Sequence, residues 1–181
     1  VDPLRQMAGF SSSVVPVEPI VNIDGIDVNE AQQIGVPDTN GDVSPEHYVQ
    51  VTNGGGSVFK IFDKEGNLLY GPASFNTLWE DFGMSGLGDP VVLYDQGADR
   101  WLFTELASDF NTMLIAVSET NDPLGSFYAY EFQSPTGLPD YPKYGIWPDA
   151  YYITTNEGGE PNVPVYILDR AAMLNGEANV D

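Results

Sequence analysis

Gly86-Leu87-Gly88-Asp89-Pro90-Val91-Val92-Leu93-Tyr94-Asp95 opens the middle one of three related units, and its reading decides the fold. Its leading Gly-x-x-Asp has counterparts in Gly35-Val36-Pro37-Asp38 and Gly137-Leu138-Pro139-Asp140, so that aspartates recur at positions 38, 89 and 140 with a constant step of 51. A Tyr- or Trp-bearing apolar run follows each one: His47-Tyr48-Val49-Gln50-Val51, Arg100-Trp101-Leu102-Phe103-Thr104 and Ala150-Tyr151-Tyr152-Ile153-Thr154. Repeats of roughly 40 to 50 residues with several strands each are the mark of β-propeller blades, because one such unit needs neighbours to bury its faces. The sequence therefore predicts an all-β chain of propeller-like antiparallel blades.

The middle unit is the most complete. It reads as four short β-rich runs, Pro90 to Asp95, Trp101 to Leu106, Met113 to Glu119 and Ser126 to Phe132, separated by turn clusters such as Gln96-Gly97-Ala98-Asp99 and Asn121-Asp122-Pro123-Leu124-Gly125. In the first unit Tyr48 to Thr52, Val58 to Asp63 and Leu68 to Tyr70 repeat the order, with the polar stretch Thr39 to Glu46 where the innermost strand belongs. In the third, Tyr144 to Trp147, Tyr151 to Thr155 and Val163 to Asp169 are extended, whereas Ala171-Ala172-Met173-Leu174 reads as helical. The expected divisions are an N-terminal extended segment or linker over 1–34 and units over about 35–85, 86–136 and 137–181. Three units do not close a propeller, which typically takes about four to eight blades. Another chain or copy is thus expected to cover the sheets around residues 48–70 and 144–169, completing a larger ring.

Charge narrows the partners. Against 27 acids stand 6 bases, for a net charge of -21. Nucleic acid and anionic membranes attract proteins through clustered Lys and Arg, which this chain lacks, whereas cations are favoured. Saline adaptation and plain solubility explain the same excess. With 0 cysteines, disulfides and thiolate metal sites are excluded. Nucleophilic catalysis finds no Cys, no Gly-x-Ser-x-Gly and one histidine, His47, which reads as a packed strand residue. Gly54-Gly55-Gly56 is a hairpin connection and no phosphate loop.

Residues just before the innermost strand of a blade gather at one mouth of the central channel. Pseudo-symmetry would bring Asp38, Asp89 and Asp140 toward one axis, where their repulsion is relieved by a shared cation or proton. Oxygen-only ligands suit a hard ion such as calcium. Alternatively, each aspartate caps its own turn. A local metal candidate is Asp38-Thr39-Asn40-Gly41-Asp42-Val43-Ser44-Pro45-Glu46, with oxygens on Asp38, Asn40, Asp42, Ser44 and Glu46. It departs from an EF-hand, with Val43 in place of the turn glycine and Val49 in place of the closing glutamate. Enzymatic use of the carboxylates would draw on Asp89 with Asp140 or Asp149. Exposed aromatics, Trp79, Trp147, Tyr151 and Tyr152, would suit stacking on sugar rings, Trp147 and Tyr151 above all, although such residues also build blade cores.

Tyr94-Asp95-Gln96-Gly97-Ala98-Asp99-Arg100-Trp101 resembles the Asp box of sialidase-like propellers, with one residue too many before the tryptophan. In that family the box is structural. Asp99 beside Arg100 is expected to form a local charge-assisted bond. Asp89-Pro90 and Trp147-Pro148-Asp149 resemble the way five-bladed glycosidases set acids around the channel mouth. Taken with Pro37 to Val43, His47 to Gln50 and Gly88 to Asp95, the chain resembles large secreted bacterial multidomain proteins that contain propellers. That resemblance implies a bacterial extracellular protein with a longer parent chain and no transferable catalytic residue. The readings are a calcium-binding interaction or assembly module, a glycosidase-like enzyme, or a filament or surface-layer subunit.

Overall fold

The computed structural model describes residues 17–32, 35–157 and 163–178. Most of the expected 1–34 segment, including Ser11-Ser12-Ser13 and Pro16, lies outside them.

Three antiparallel sheets follow one another along the chain. The first has strands β1 (Asn40–Val43), β2 (His47–Gly54), β3 (Gly56–Asp63) and β4 (Leu68–Ser74) in that order. After two single-turn 3-10 helices, Phe75–Leu78 and Glu80–Phe82, the second sheet runs β5 (Gly86–Asp95), β6 (Arg100–Ala107), β7 (Thr112–Ser118) and β8 (Phe127–Gln133). The third has β9 (Pro139–Ile146), β10 (Ala150–Glu157) and β11 (Val165–Asp169), followed by the helix α2 (Arg170–Leu174) where a fourth strand would stand. Each sheet is a meander of hairpins closed by turns that Asp or Gly stabilises. At one of these the Asp63 carboxylate accepts from the Glu65 and Asn67 amides, and at another Asp109 accepts from Asn111 and Thr112.

The strand alternation decides what packs where. On β6, Trp101 and Phe103 turn toward the first sheet and join Val49, Val51, Phe59, Ile61 and Phe75 in one core. Leu102 and Leu106 turn the other way, joining Met113, Ile115 and Val117 of β7 against Tyr151, Ile153, Leu168 and Met173. The middle sheet is thus buried on both faces, and no barrel closes. Trp101 and Tyr151 are both fully buried, each on the face its own sheet turns to the preceding one.

One expectation needs correction. The polar stretch after Asp38 does not replace the innermost strand of the first unit; it contains that strand, β1, paired to β2 from Asn40↔Val51 to Val43↔Tyr48. The polarity has a physical reason, since the Asn40 side chain accepts from the Val92 amide and the Asp42 carboxylate from the Tyr94 amide. Alternate side chains of β1 thereby bond alternate amides of β5 and stitch the first two sheets together.

The first sheet's outer face is covered in part by the chain itself. Residues 21–32 cross it: the Ile26 amide donates to Gln50, Lys60 donates to the Gly25 carbonyl and pairs with Glu30 at 2.7 Å, and the Gly55 amide bonds the Ala31 carbonyl. A short helix, α1 (Val28–Ala31), is fixed there by a capping box between Asp27 and Glu30. Val58, Lys60 and Phe62 are buried as a result. The third sheet's outer face differs, with Val165 64% and Ile167 60% exposed.

Candidate functional site

The repeat aspartates converge. Asp38, Asp89 and Asp140 line one cavity of about 550 Å3, together with Asn40, Tyr141 and Lys143. Each comes from the start of a different sheet, so the cavity lies where β1, β5 and β9 begin.

Asn53, at the end of β2, ties two of the three together. Its Nδ2 donates to Asp38 Oδ2 at 2.6 Å, and its Oδ1 accepts from the Asp89 amide at 2.7 Å. Gly88 makes that approach possible: its φ is +141°, and a Cβ there would fall 2.6 Å from Asn53 Oδ1. Asp38 and Asp89 are themselves in the left-handed region, at φ 39° and 54°. In the third unit the left-handed residue is Tyr141, φ 52°, one position after the repeat aspartate. Non-glycine residues held in this region are costly and concentrate at functional sites.

The electrostatics follow from the crowding. Burial pushes the Asp89 carboxyl above its usual range, the Asp38 and Asp140 charges push it further, and Asn53 draws it partly back. Lys143 does not figure among these influences; its ammonium sits 3.3 Å from the centroid of the Tyr141 ring and donates to the Pro142 carbonyl. The mouth is therefore an acidic concavity with one base turned onto an aromatic face.

The remaining expected ligands lie elsewhere. Asn40 and Asp42 spend their oxygens on β5 amides, and Ser44 Oγ accepts from the Glu46 and His47 amides in the turn before β2. The Glu46 side chain is exposed. Asp38 through Glu46 is thus strand and turn rather than one ligand loop. Among the described residues no group of three or more His, Asp or Glu stands close enough to hold an ion as placed.

The pairing of Asp89 with Asp149 is not assembled. From Asp140, β9 runs on to Ile146 before the hairpin that carries Asp149, a rise of roughly 20 Å for an antiparallel strand. Asp149 accepts from the Tyr152 hydroxyl instead. Of the stacking candidates, Trp147 is 68% exposed, but Tyr151 is 1% and Trp79 is 0% exposed, so both are core residues.

Asp95, in the segment resembling an Asp box, is a structural hub. Its Oδ1 accepts from the Gly97 and Ala98 amides, which makes the turn, and its two oxygens receive a bidentate Arg170 at 2.6 and 3.0 Å. The Tyr151 hydroxyl adds a third partner at 3.0 Å. Burial works to raise the Asp95 pKa, but the bonds from Arg170 and Tyr151 outweigh it, and the net shift is downward. The Asp99 carboxylate, by contrast, does not bond Arg100, which reaches Asp99 through the backbone instead. It takes the Tyr94 hydroxyl, while Arg100 donates to the Ala98 and Asp99 carbonyls.

Sequence reasoning missed Asn53, because nothing marks an asparagine beside a glycine run as a bridge between two distant aspartates. It missed Arg170 as well, whose partner lies 75 residues away.

No protein-family model, curated protein or solved structure matches this chain. The resemblance to secreted propeller-containing proteins rests on the quoted stretches alone. Among the described residues, no helix is long and apolar enough to cross a membrane.

Proposed function

We propose that this chain is a propeller-type repeat module of an extracellular bacterial protein, that it binds a hard divalent cation, calcium first, at the mouth formed by Asp38, Asp89 and Asp140, and that it serves in interaction or assembly. The observation that carries the reading is the meeting of three aspartates, spaced evenly in sequence, in one cavity where they repel one another. A cation relieves that repulsion, and hard oxygen donors are what calcium takes. With the carboxylates set apart, water completes the coordination and the cavity has room for it. The assembly part of the reading draws on the open outer face of the third sheet, where Val165 and Ile167 stay largely exposed.

Isothermal titration of calcium into the chain and into Asp140→Asn tests the reading. Saturable binding by the parent chain that Asp140→Asn weakens at least tenfold supports it. Absence of heat at millimolar calcium, or binding indifferent to the substitution, overturns it.

A second reading is favoured by one observation. Acid-catalysed glycoside hydrolysis draws on two carboxyl groups, one of them held protonated, and Asp89, whose pKa is raised, shares its cavity with Asp140. Turnover of aryl glycosides that disappears in Asp89→Asn would select this reading; inertness toward them would leave the cation site.

A further inference from the structure

Glu105 is a carboxylic acid placed where the fold offers it almost nothing. It sits on β6 in register with Leu114, between Phe103 and Ala107, on the face that packs against the first sheet. Its residue exposure is 1%. Oε1 accepts from the Trp79 indole N–H, whereas Oε2 has no hydrogen-bond partner among the described residues. The Ser57 hydroxyl of β3 lies on the same side, likewise buried. Gly86 of β5 closes the pocket so tightly that a Cβ there would fall 2.0 Å from Oε2.

Among the described residues, the surroundings supply no counter-charge. The elements packed around the carboxyl carry Lys60 and Asp63 on β3, Asp89 and Asp95 on β5, and Glu80 and Asp81 beside Trp79, while β7 carries no charged residue. None of these figures among the influences on Glu105. Burial dominates, Ser57 and Trp79 draw it back only in part, and the carboxyl is pushed up to about 7. An ionised carboxylate without a cation partner is costly to bury, whereas the neutral acid is not, and its O–H gives the unpartnered oxygen a donor to use.

We infer that Glu105 is a proton-dependent latch between the first and second sheets: protonated, it lets the two faces close, and ionised, it loosens their contact. Its position gives the latch a target. Ser57 is the register partner of Asn53, and Gly86 stands on β5 three residues before Asp89, so the strands that meet at Glu105 also carry two sides of the acidic mouth. The latch does not depend on whether that mouth holds a cation.

The sign follows from linkage. A carboxyl whose pKa rises from 4.5 to about 7 on folding gives stability that is complete below 4.5 and lost as pH climbs through about 7. Glu105→Gln keeps the acceptor for Trp79 and removes the titration. Folding equilibria of the full chain, measured by denaturant from pH 4 to 9 in chelator, should show the parent losing stability relative to Glu105→Gln by up to about tenfold per pH unit, and levelling off above about pH 7.5. Amide exchange of β3 and β5 near Ser57 and Gly86 should then be faster at pH 8 in the parent than in the variant, with β9 and β10 alike in both. Parallel pH profiles for the two proteins would overturn the inference. If Glu105→Gln does not fold, carboxyl carbon NMR of the parent decides the matter: one glutamate titrating near neutrality supports the latch, and all titrating in the ordinary acidic range overturns it.

Discussion

Asp95 shows how one residue can join sheets that are far apart in sequence. Its carboxylate closes the β5–β6 turn, and the same two oxygens hold Arg170 and Tyr151 of the third unit. Removing one partner of a buried ion pair strands the other, so Asp95→Ala should cost about 3–5 kcal/mol in denaturant unfolding. Because its folded pKa is depressed, this carboxylate contributes stability that is present above about 3.8 and lost as pH falls, and Asp95→Ala should flatten the acid limb of the stability profile. Asp89 carries the opposite sign: its raised pKa means stability lost as pH rises above the ordinary carboxylate range. In chelator at pH 7, Asp89→Asn should therefore melt above the parent, and calcium should raise the melting temperature of the parent alone. Trp101, fully buried and packed on Tyr94 and Phe103, is a third such residue. Trp101→Ala should cost about 3–5 kcal/mol.

At the scale of elements, β1 is the instructive strand. Its sequence, Asn-Gly-Asp-Val, carries one apolar residue and reads as a polar turn or ligand loop. It becomes a strand because its neighbour on the far side is not a strand partner but a sheet reached through side chains, and only Asn and Asp supply carbonyl and carboxylate acceptors at that reach. Asp42→Ala should therefore destabilise the chain by about 1–3 kcal/mol whether or not calcium is present, by leaving the Tyr94 amide without its acceptor. Strand patterning exposed the middle sheet almost to the residue, since Met113 to Val117, and Trp101 to Leu106 apart from Thr104 and Glu105, are apolar on both faces, as suits a sheet covered twice. The helical character of Ala171 to Leu174 was equally legible. The burial of Tyr151 was legible through the repeat, which equates it with Trp101, whereas the bond from Arg170 to a carboxylate 75 residues away was not.

At the scale of the molecule, the two ends differ. Residues 21–32 cap the first sheet, while the third presents Val165 and Ile167. Sheet arrays of this kind associate through whatever face is left uncapped. Ile167→Lys should then abolish any concentration-dependent self-association seen in sedimentation and leave the melting temperature within a few degrees of the parent. The regular step of the aspartates disclosed that an equivalent carboxylate would stand at the start of each sheet, and all three line one cavity; it could not disclose Asn53 or the left-handed backbone beside them. The most direct test of the central claim is an anomalous difference map from crystals grown with calcium. The account predicts one ion peak inside the cavity between Asp38, Asp89 and Asp140, absent from crystals of Asp140→Asn. A map with no peak there, or with calcium bound only at exposed acids outside the cavity, would contradict it.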